Sequence, residues 1–469
     1  MLQLCISGRS KRVKAAIGLF VTVVVAAGCA SLPDARLYLD GHNAAPVEVE
    51  GARGLLSAQQ SAAILDQLKR KSGDIDILEK HAAIEQAIVG SALTAGNKVV
   101  LLQDGPATYK AMFAAIGKAR NHINLETYII EDDETGRQFA DLLLKKQAQG
   151  VQVNLIYDSV GSIHTPKPFF DRLREGGIKV LEFNPVNPLT AKKGWQINNR
   201  DHRKLLVVDG QTAFVGGINI SSVYSTGSSP SRSTPASAKS VGWRDTHLQI
   251  EGPVVDEFQK FFMSTWTAQH GAPLTAKNYF PALTVKGHDL VRAIGSTPTD
   301  PRSLIYLTLV SAISHAEKQV HLTMAYFVPD PQFLKTLIDA AQRGVDVKLI
   351  LPSVSDSGLV FHAGRSHYSE LLAAGVKIYE RGGSVLHSKT VCIDGVWSSI
   401  GSTNLDWRSF LHNDELNAVV LGREFAQQMQ AMFAQDLAAS TAITAEEWEH
   451  RPLRFKFRER AARLWEYWL

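Results

Sequence analysis

Cysteine is nearly absent from this 469-residue chain: Cys5, Cys29 and Cys392 are too few and too scattered for a disulfide framework or a metal cluster. Charge of one sign is lacking as well. The formal net charge is +4, and Arg9, Lys11, Arg12 and Lys14 account for it; without those four, 46 basic side chains face 46 acidic ones. A near-neutral body offers no cationic track, so a generic nucleic-acid binder finds no support. The leading apolar run, residues 15–27, is short for a membrane span. What the chain does have is 45% hydrophobic and 20% charged residues, enough for a large core and two or three domains, which excludes global disorder.

The first residues read as an address rather than as fold, because a basic stretch precedes residues 15–27 and small residues and Cys29 follow. The sequence Ala26, Ala27, Gly28, Cys29 resembles the bacterial lipobox, in which the cysteine is lipidated and becomes the mature N-terminus; Ala26 stands where leucine is commoner. That resemblance implies a signal peptide over 1–28 and a lipoprotein facing the periplasm, with Ala30 after the cysteine pointing to the outer membrane and lipid synthesis to the inner one. The alternative is an uncleaved anchor over 15–32. Residues 33–54 read as a tether and 55–95 as a small helical segment, both within a region bounded at 29–96.

From Asn97 onward the chain makes sense as two copies of one unit. A helix-like stretch at 109–120, a strand at 123–130, a helix and a strand at 151–157 recur as 309–317, 320–327, a helix and 345–351. Residues 177–180 echo 375–378. Alternating strands and helices argue an α/β layered fold, with one half over 97–275 and the other over 276–469. Between the two repeated strand–helix stretches, and inside the first half, residues 221–242 are rich in Ser, Pro and Gly and read as a mobile loop.

Each copy carries the same punctuation. His202 and Lys204 are followed by Asp209, Gly216, Gly217 and Asn219; His387 and Lys389 are followed by Asp394, Gly401, Ser402 and Asn404, at identical spacings. Residues two apart in a strand share a face, so each histidine is set beside its lysine toward one pocket. One imidazole can act as a nucleophile while the other acts as a general acid toward a departing oxygen, and the lysines can neutralise negative charge between them. The odd offset of Asp209 and Asp394 from their histidines points them away from the pocket and assigns them structural roles.

In full, this pattern resembles the phospholipase D superfamily, and residues 101–108, 125–130 and 243–247 are similar to its bacterial cardiolipin synthase-type members over roughly 97–469. The resemblance implies two α/β/α sandwich halves packed as a pseudo-twofold bilobal fold with the site between them. It implies a catalytic set of His202, Lys204, Asp209, His387, Lys389 and Asp394, with His202 as nucleophile and His387 as general acid by family habit. Asn219 and Asn404 are implied as phosphate-binding residues. Glu415 is implied to accept from the far nitrogen of His387, and the shorter Asp245 stands at the aligned position of the first copy; an ion pair without a catalytic part is the alternative for both. Glycerophospholipids and a membrane surface are the expected partners, with no cofactor, no metal and no nucleic acid.

The expected activity is phosphatidyl transfer between alcohols through a phosphohistidine. A hydrolase with water as acceptor, a nuclease using the same residues, and a non-catalytic lipid-binding lipoprotein are the alternatives. Two features bear on substrate. The C-terminal residues 451–469 place Phe457, Ala461, Leu464, Trp465 and Trp468 at helical spacing among arginines, suited to a membrane interface or to docking on the protein itself. Glu126, Tyr128 and Tyr326 fall at strand ends, where a pocket rim is expected.

Overall fold

A computed structural model describes residues 31–39, 45–72, 77–190, 195–226, 242–275 and 277–469. The signal segment, Cys29 and most of the 221–242 loop lie outside the described residues.

Fourteen strands build the two halves. The first half uses β1 (Leu93–Leu102), β2 (His122–Thr127), β3 (Gln152–Asp158), β4 (Lys179–Phe183), β5 (Lys204–Val208), β6 (Thr212–Gly216) and β7 (His247–Glu251). Its order is β4-β3-β2-β5-β6-β7-β1, parallel across β2, β3 and β4 and antiparallel elsewhere. The second half uses β8 (Asp289–Ser296), β9 (Gln319–Met324), β10 (Asp346–Pro352), β11 (Lys377–Arg381), β12 (Lys389–Ile393), β13 (Trp397–Gly401) and β14 (Asn413–Leu421). Its order, β11-β10-β9-β12-β13-β14-β8, repeats the first with the same pattern of directions. Strand β1 joins the halves, since Thr94 and Asn97 pair with β8 while residues 98–102 pair with β7.

Both sheets are covered on two faces, which is why their strands read as near-continuous apolar runs. In the first half, helices Gly105–Lys118, Glu134–Ala148 and Lys167–Glu175 cover the outer face and Val255–Ala268 the inner. In the second, Leu304–Ser314, Pro331–Gln342 and Tyr368–Ala373 are outer and Arg423–Ala438 inner. The inner faces share one core in which Leu205, Val215, Leu248 and Phe258 meet Val291, Ile400, Ala418 and Phe425. That shared core holds the two motif-bearing halves together. A buried triad adds to it: Asp436 accepts from Arg244 Nη2 at 2.9 Å and from Arg381 Nε at 2.9 Å.

The N-terminal segment belongs to the second half. Helices Ala58–Ser72 and Ala82–Val89 pack on its outer core. Glu85, fully buried, accepts from Arg292 at 2.5 Å and from the Trp397 indole at 3.2 Å, and His81 Nδ1 lies 2.9 Å from Ser311 Oγ. Among the described residues no helix is long and apolar enough to cross a membrane.

Candidate active site

Strands β5 and β12 begin at the two motif lysines, so each histidine sits two residues before that strand starts, at the mouth between the halves. His202 and His387 are both nearly buried, as are Lys204 and Lys389. Lys204 Nζ donates to the His202 carbonyl at 2.6 Å and stands 5.1 Å above the Tyr128 ring; Lys389 Nζ donates to the His387 carbonyl.

The orienting carboxylates cross between halves. His202 Nδ1 donates to Glu415 at 2.9 Å, and His387 Nδ1 donates to Asp245 at 2.6 Å. This corrects the expected pairing of Glu415 with His387. The reason is a tertiary contact: the start of β14 runs parallel to residues 200–201, pairing Asn413 with Arg200 and Asp414 with Asp201, which lays Glu415 under His202. Reciprocally Trp243 and Arg244 pair with Val385 and Leu386, which brings Asp245 to His387. Each carboxylate is held in turn. Glu415 accepts from Ser402 and from Asn413 at 3.1 Å, and Asp245 accepts from the Thr246 N–H at 2.7 Å. Burial pushes both carboxylates up, but the facing imidazole and lysine charges win and hold them below the usual range.

Burial sets the resting charges of the other groups. It lowers His202 to about 4 against the pull of Glu415, and lowers His387 as well, so both imidazoles rest neutral at neutral pH. With Nδ1–H committed to a carboxylate, each Nε2 carries the lone pair. Lys389 Nζ lies 3.0 Å from His387 Nδ1, but that nitrogen cannot accept while its own proton serves Asp245. Burial also lowers Lys204 to about 7 and Lys389 to about 8, so a phosphodiester anion entering here meets lysines whose charge it restores.

The motif aspartates lie elsewhere. Asp209 accepts from the backbone N–H groups of Arg120, Asn121 and His122, and Asp394 from those of Glu317, Lys318 and Gln319. Both occupy left-handed turns, with φ of 55° and 52°, so each ties the end of its hairpin to the neighbouring strand. Asn219 donates to the Tyr224 hydroxyl at 3.2 Å and accepts from the Ile129 N–H, whereas Asn404 Oδ1 is buried without a protein partner among the described residues.

Tyr128 and Tyr326 flank the histidines, with ring centroids 5.0 Å from His202 and 6.4 Å from His387. Glu126 is not on the rim: it is fully buried behind the site, beside Arg203 at 3.8 Å and Thr265 at 2.8 Å, and burial raises it to about 7. Sequence reading missed Tyr224, whose hydroxyl lies 3.3 Å from His387 Nδ1, and Trp243, whose ring is 5.0 Å from His387. Trp243 stood two residues before Asp245 and could have been found there; Tyr224 sits in the polar loop with no pattern around it.

Among the described residues no group of three or more His, Cys, Asp or Glu is arranged to hold a metal ion.

Residues 112–226 and 309–437 match the family described as "Cardiolipin synthase, PLD-like domain". A cardiolipin synthase of Geobacillus kaustophilus is 36% identical over 372 residues, covering 78% of this chain and 72% of the relative. Cardiolipin synthase A of Pseudomonas entomophila is 39% identical, over 75% of this chain and 71% of its own length. In fold, a phosphatidylserine synthase from Haemophilus influenzae superposes with a TM-score of 0.57 at 14% identity, over 79% of this chain and 95% of its own.

Proposed function

Because the chain belongs to the phospholipase D-like family of cardiolipin synthases and is a phosphatidyltransferase of that type, we propose that it works by a phosphohistidine formed on His202. The observation that carries this reading is the pair of crossed, carboxylate-held imidazoles, each beside a lysine. His202 Nε2 attacks phosphorus of a bound glycerophospholipid and the bond from phosphorus to the headgroup oxygen breaks. That alkoxide takes a proton from His387 Nε2, which the substrate's negative charge has made basic enough to hold one. The acceptor hydroxyl then loses its proton to His387 and attacks phosphorus, the P–N bond breaks, and His202 is regenerated. Lys204 and Lys389 neutralise the non-bridging oxygens throughout, with Asn404 as a further donor and no metal required. The acceptor is a second phospholipid or a glycerol-like alcohol at a membrane surface, and the protein is an envelope lipoprotein anchored at Cys29, facing the periplasm.

His202→Ala and His387→Ala each lower turnover by about a hundredfold or more, and the double variant adds little, since the two act as one unit. Near-normal rates in either single variant would remove the mechanism. Full-length protein on defined phospholipid bilayers, with every product identified by mass, gives mainly transfer products such as cardiolipin, and does so in excess chelator. Phosphatidic acid as the main product whatever the acceptor would put a hydrolase in its place; activity lost to chelator and restored by an added ion would give the neutralising role to a metal.

A further inference from the structure

The expected rim tyrosines lead outward to exposed apolar side chains in both halves. In the first half, Ser162 donates to the Tyr128 carbonyl at 3.2 Å and Gly161 packs so closely on Tyr128 that no side chain fits there, and the next residue, Ile163, is 57% exposed. In the second half, the Tyr326 hydroxyl donates to Asp356 at 2.7 Å, and the exposed Val354 and Leu359 flank that aspartate. The turn that touches each site tyrosine thus ends in a solvent-facing aliphatic, at pseudo-equivalent places.

Both sides then widen. In the first half the loop before the motif exposes Ile197 and Leu189, the latter 92% exposed. In the second half, the C-terminal helix Leu453–Arg463 buries Ala462 against Ala363 and Val328 while leaving Phe457 75% and Leu464 82% exposed, with Trp465 beside them. The two arcs meet on one residue. Arg408 holds Asn198 through both guanidinium nitrogens, at 3.1 and 3.0 Å, and its backbone N–H donates to the C-terminal Leu469 carbonyl at 2.8 Å. The Tyr467 ring lies 5.3 Å from that of Trp407. Charge follows the same arc. The sole acid of the helix, Glu459, is buried on Arg451 at 2.7 Å, while Arg454, Arg458 and Arg460 form no ion pair among the described residues.

We propose that these two arcs are a single bipartite rim that seats the catalytic mouth on an anionic phospholipid bilayer, aliphatic and aromatic side chains entering the interface and the three arginines resting on lipid phosphates. Patches of this kind, apolar groups ringed by unpaired cations, are what an anionic interface recognises. The proposal rests on the lipid-transfer reading above. It adds that the first half supplies part of the contact, so the mouth lies flat on the surface and the C-terminal helix is not the whole anchor.

Full-length protein reconstituted in phosphatidylethanolamine/phosphatidylglycerol vesicles with brominated acyl chains tests it. Tryptophan emission is quenched, and Trp465→Phe with Trp468→Phe removes most of the quenching; quenching unchanged in that variant overturns the proposal. The combined variant Leu189→Ser, Ile197→Ser, Phe457→Ser and Leu464→Ser lowers turnover on vesicles about tenfold or more, while turnover of a short-chain phospholipid below its micellar threshold stays within about twofold. Equal loss on both substrates, or none on vesicles, overturns it. A lipid-free dimer that dissociates in the variant would assign the patch to a second copy instead and also overturns it. Quenching reads the docking even in His202→Ala protein, so absence of any lipid turnover in the unmodified chain would sink the transferase reading and not this one.

Discussion

Each catalytic imidazole commits one nitrogen to a carboxylate, and the two carboxylates differ in length and company. Glu415 reaches His202 with both oxygens, at 2.9 and 3.2 Å, whereas Asp245 makes one contact of 2.6 Å to His387. If His202 attacks and His387 protonates, their losses separate on a substrate whose leaving group needs no proton. Asp245→Ala lowers single-turnover release of a lipid headgroup alcohol about a hundredfold, but that of an aryl phosphodiester by about tenfold or less. Glu415→Ala costs similar factors on both. The reverse pattern would exchange the roles of the histidines. The lysines give a pH signature. A depressed lysine is charged below its pKa and neutral above it, and the substrate anion binds the charged form. With Lys204 at about 7 and Lys389 at about 8, kcat/KM falls as pH rises from about 6 to about 9. Most of the fall lies in KM. A profile flat over that span would show the lysines charged throughout.

At the scale of elements, what was legible was what repeats. The halves share strand order and motif spacing, so two α/β units with their histidines and lysines could be read from the repeat, while their packing as α/β/α sandwiches came from the family resemblance. The parity argument for Asp209 and Asp394 gave their direction, but a left-handed turn after β5 and β12 is what puts them there. Partnership across halves was not legible, because alignment places Glu415 in the second copy and only the pairing of β14 with residues 200–201 moves it to the first histidine. The same crossing swaps a charge: Arg203 and Asp414 lie behind one histidine, Ser388 and Arg244 behind the other, with Arg244 Nη1 3.3 Å from Ser388 Oγ. The segment before the repeat carried helical spacing and nothing that announced its seat, which depends on Arg292 in β8 and Trp397 in β13. Glu85→Ala leaves the Arg292 guanidinium buried without its carboxylate and lowers stability by about 3–5 kcal/mol. Denaturant unfolding measures it; a loss under about 1 kcal/mol would mean that water reaches this pair.

For the molecule as a whole, the proposed lipid anchor and the proposed rim bear on one problem, which is that water at about 55 M competes with any acceptor unless the site excludes it or stands where acceptors are dense. Cys29→Ser blocks lipidation and cleavage at that bond, and mass analysis of membrane-bound protein from its native cell reads it; Met1 retained in the unsubstituted chain would indicate the uncleaved anchor. The crossed carboxylates carry one more consequence. A single half, expressed alone, would own a histidine and a lysine but borrow its carboxylate from a neighbour, so it could work only as a pair of copies, and only while concentrated enough to stay paired. Joining both copies on one chain makes that loan internal. Dilution into a wide, sparsely populated compartment then cannot switch the enzyme off, and each copy is free to drift toward a different task, as the unequal lengths of Glu415 and Asp245 record.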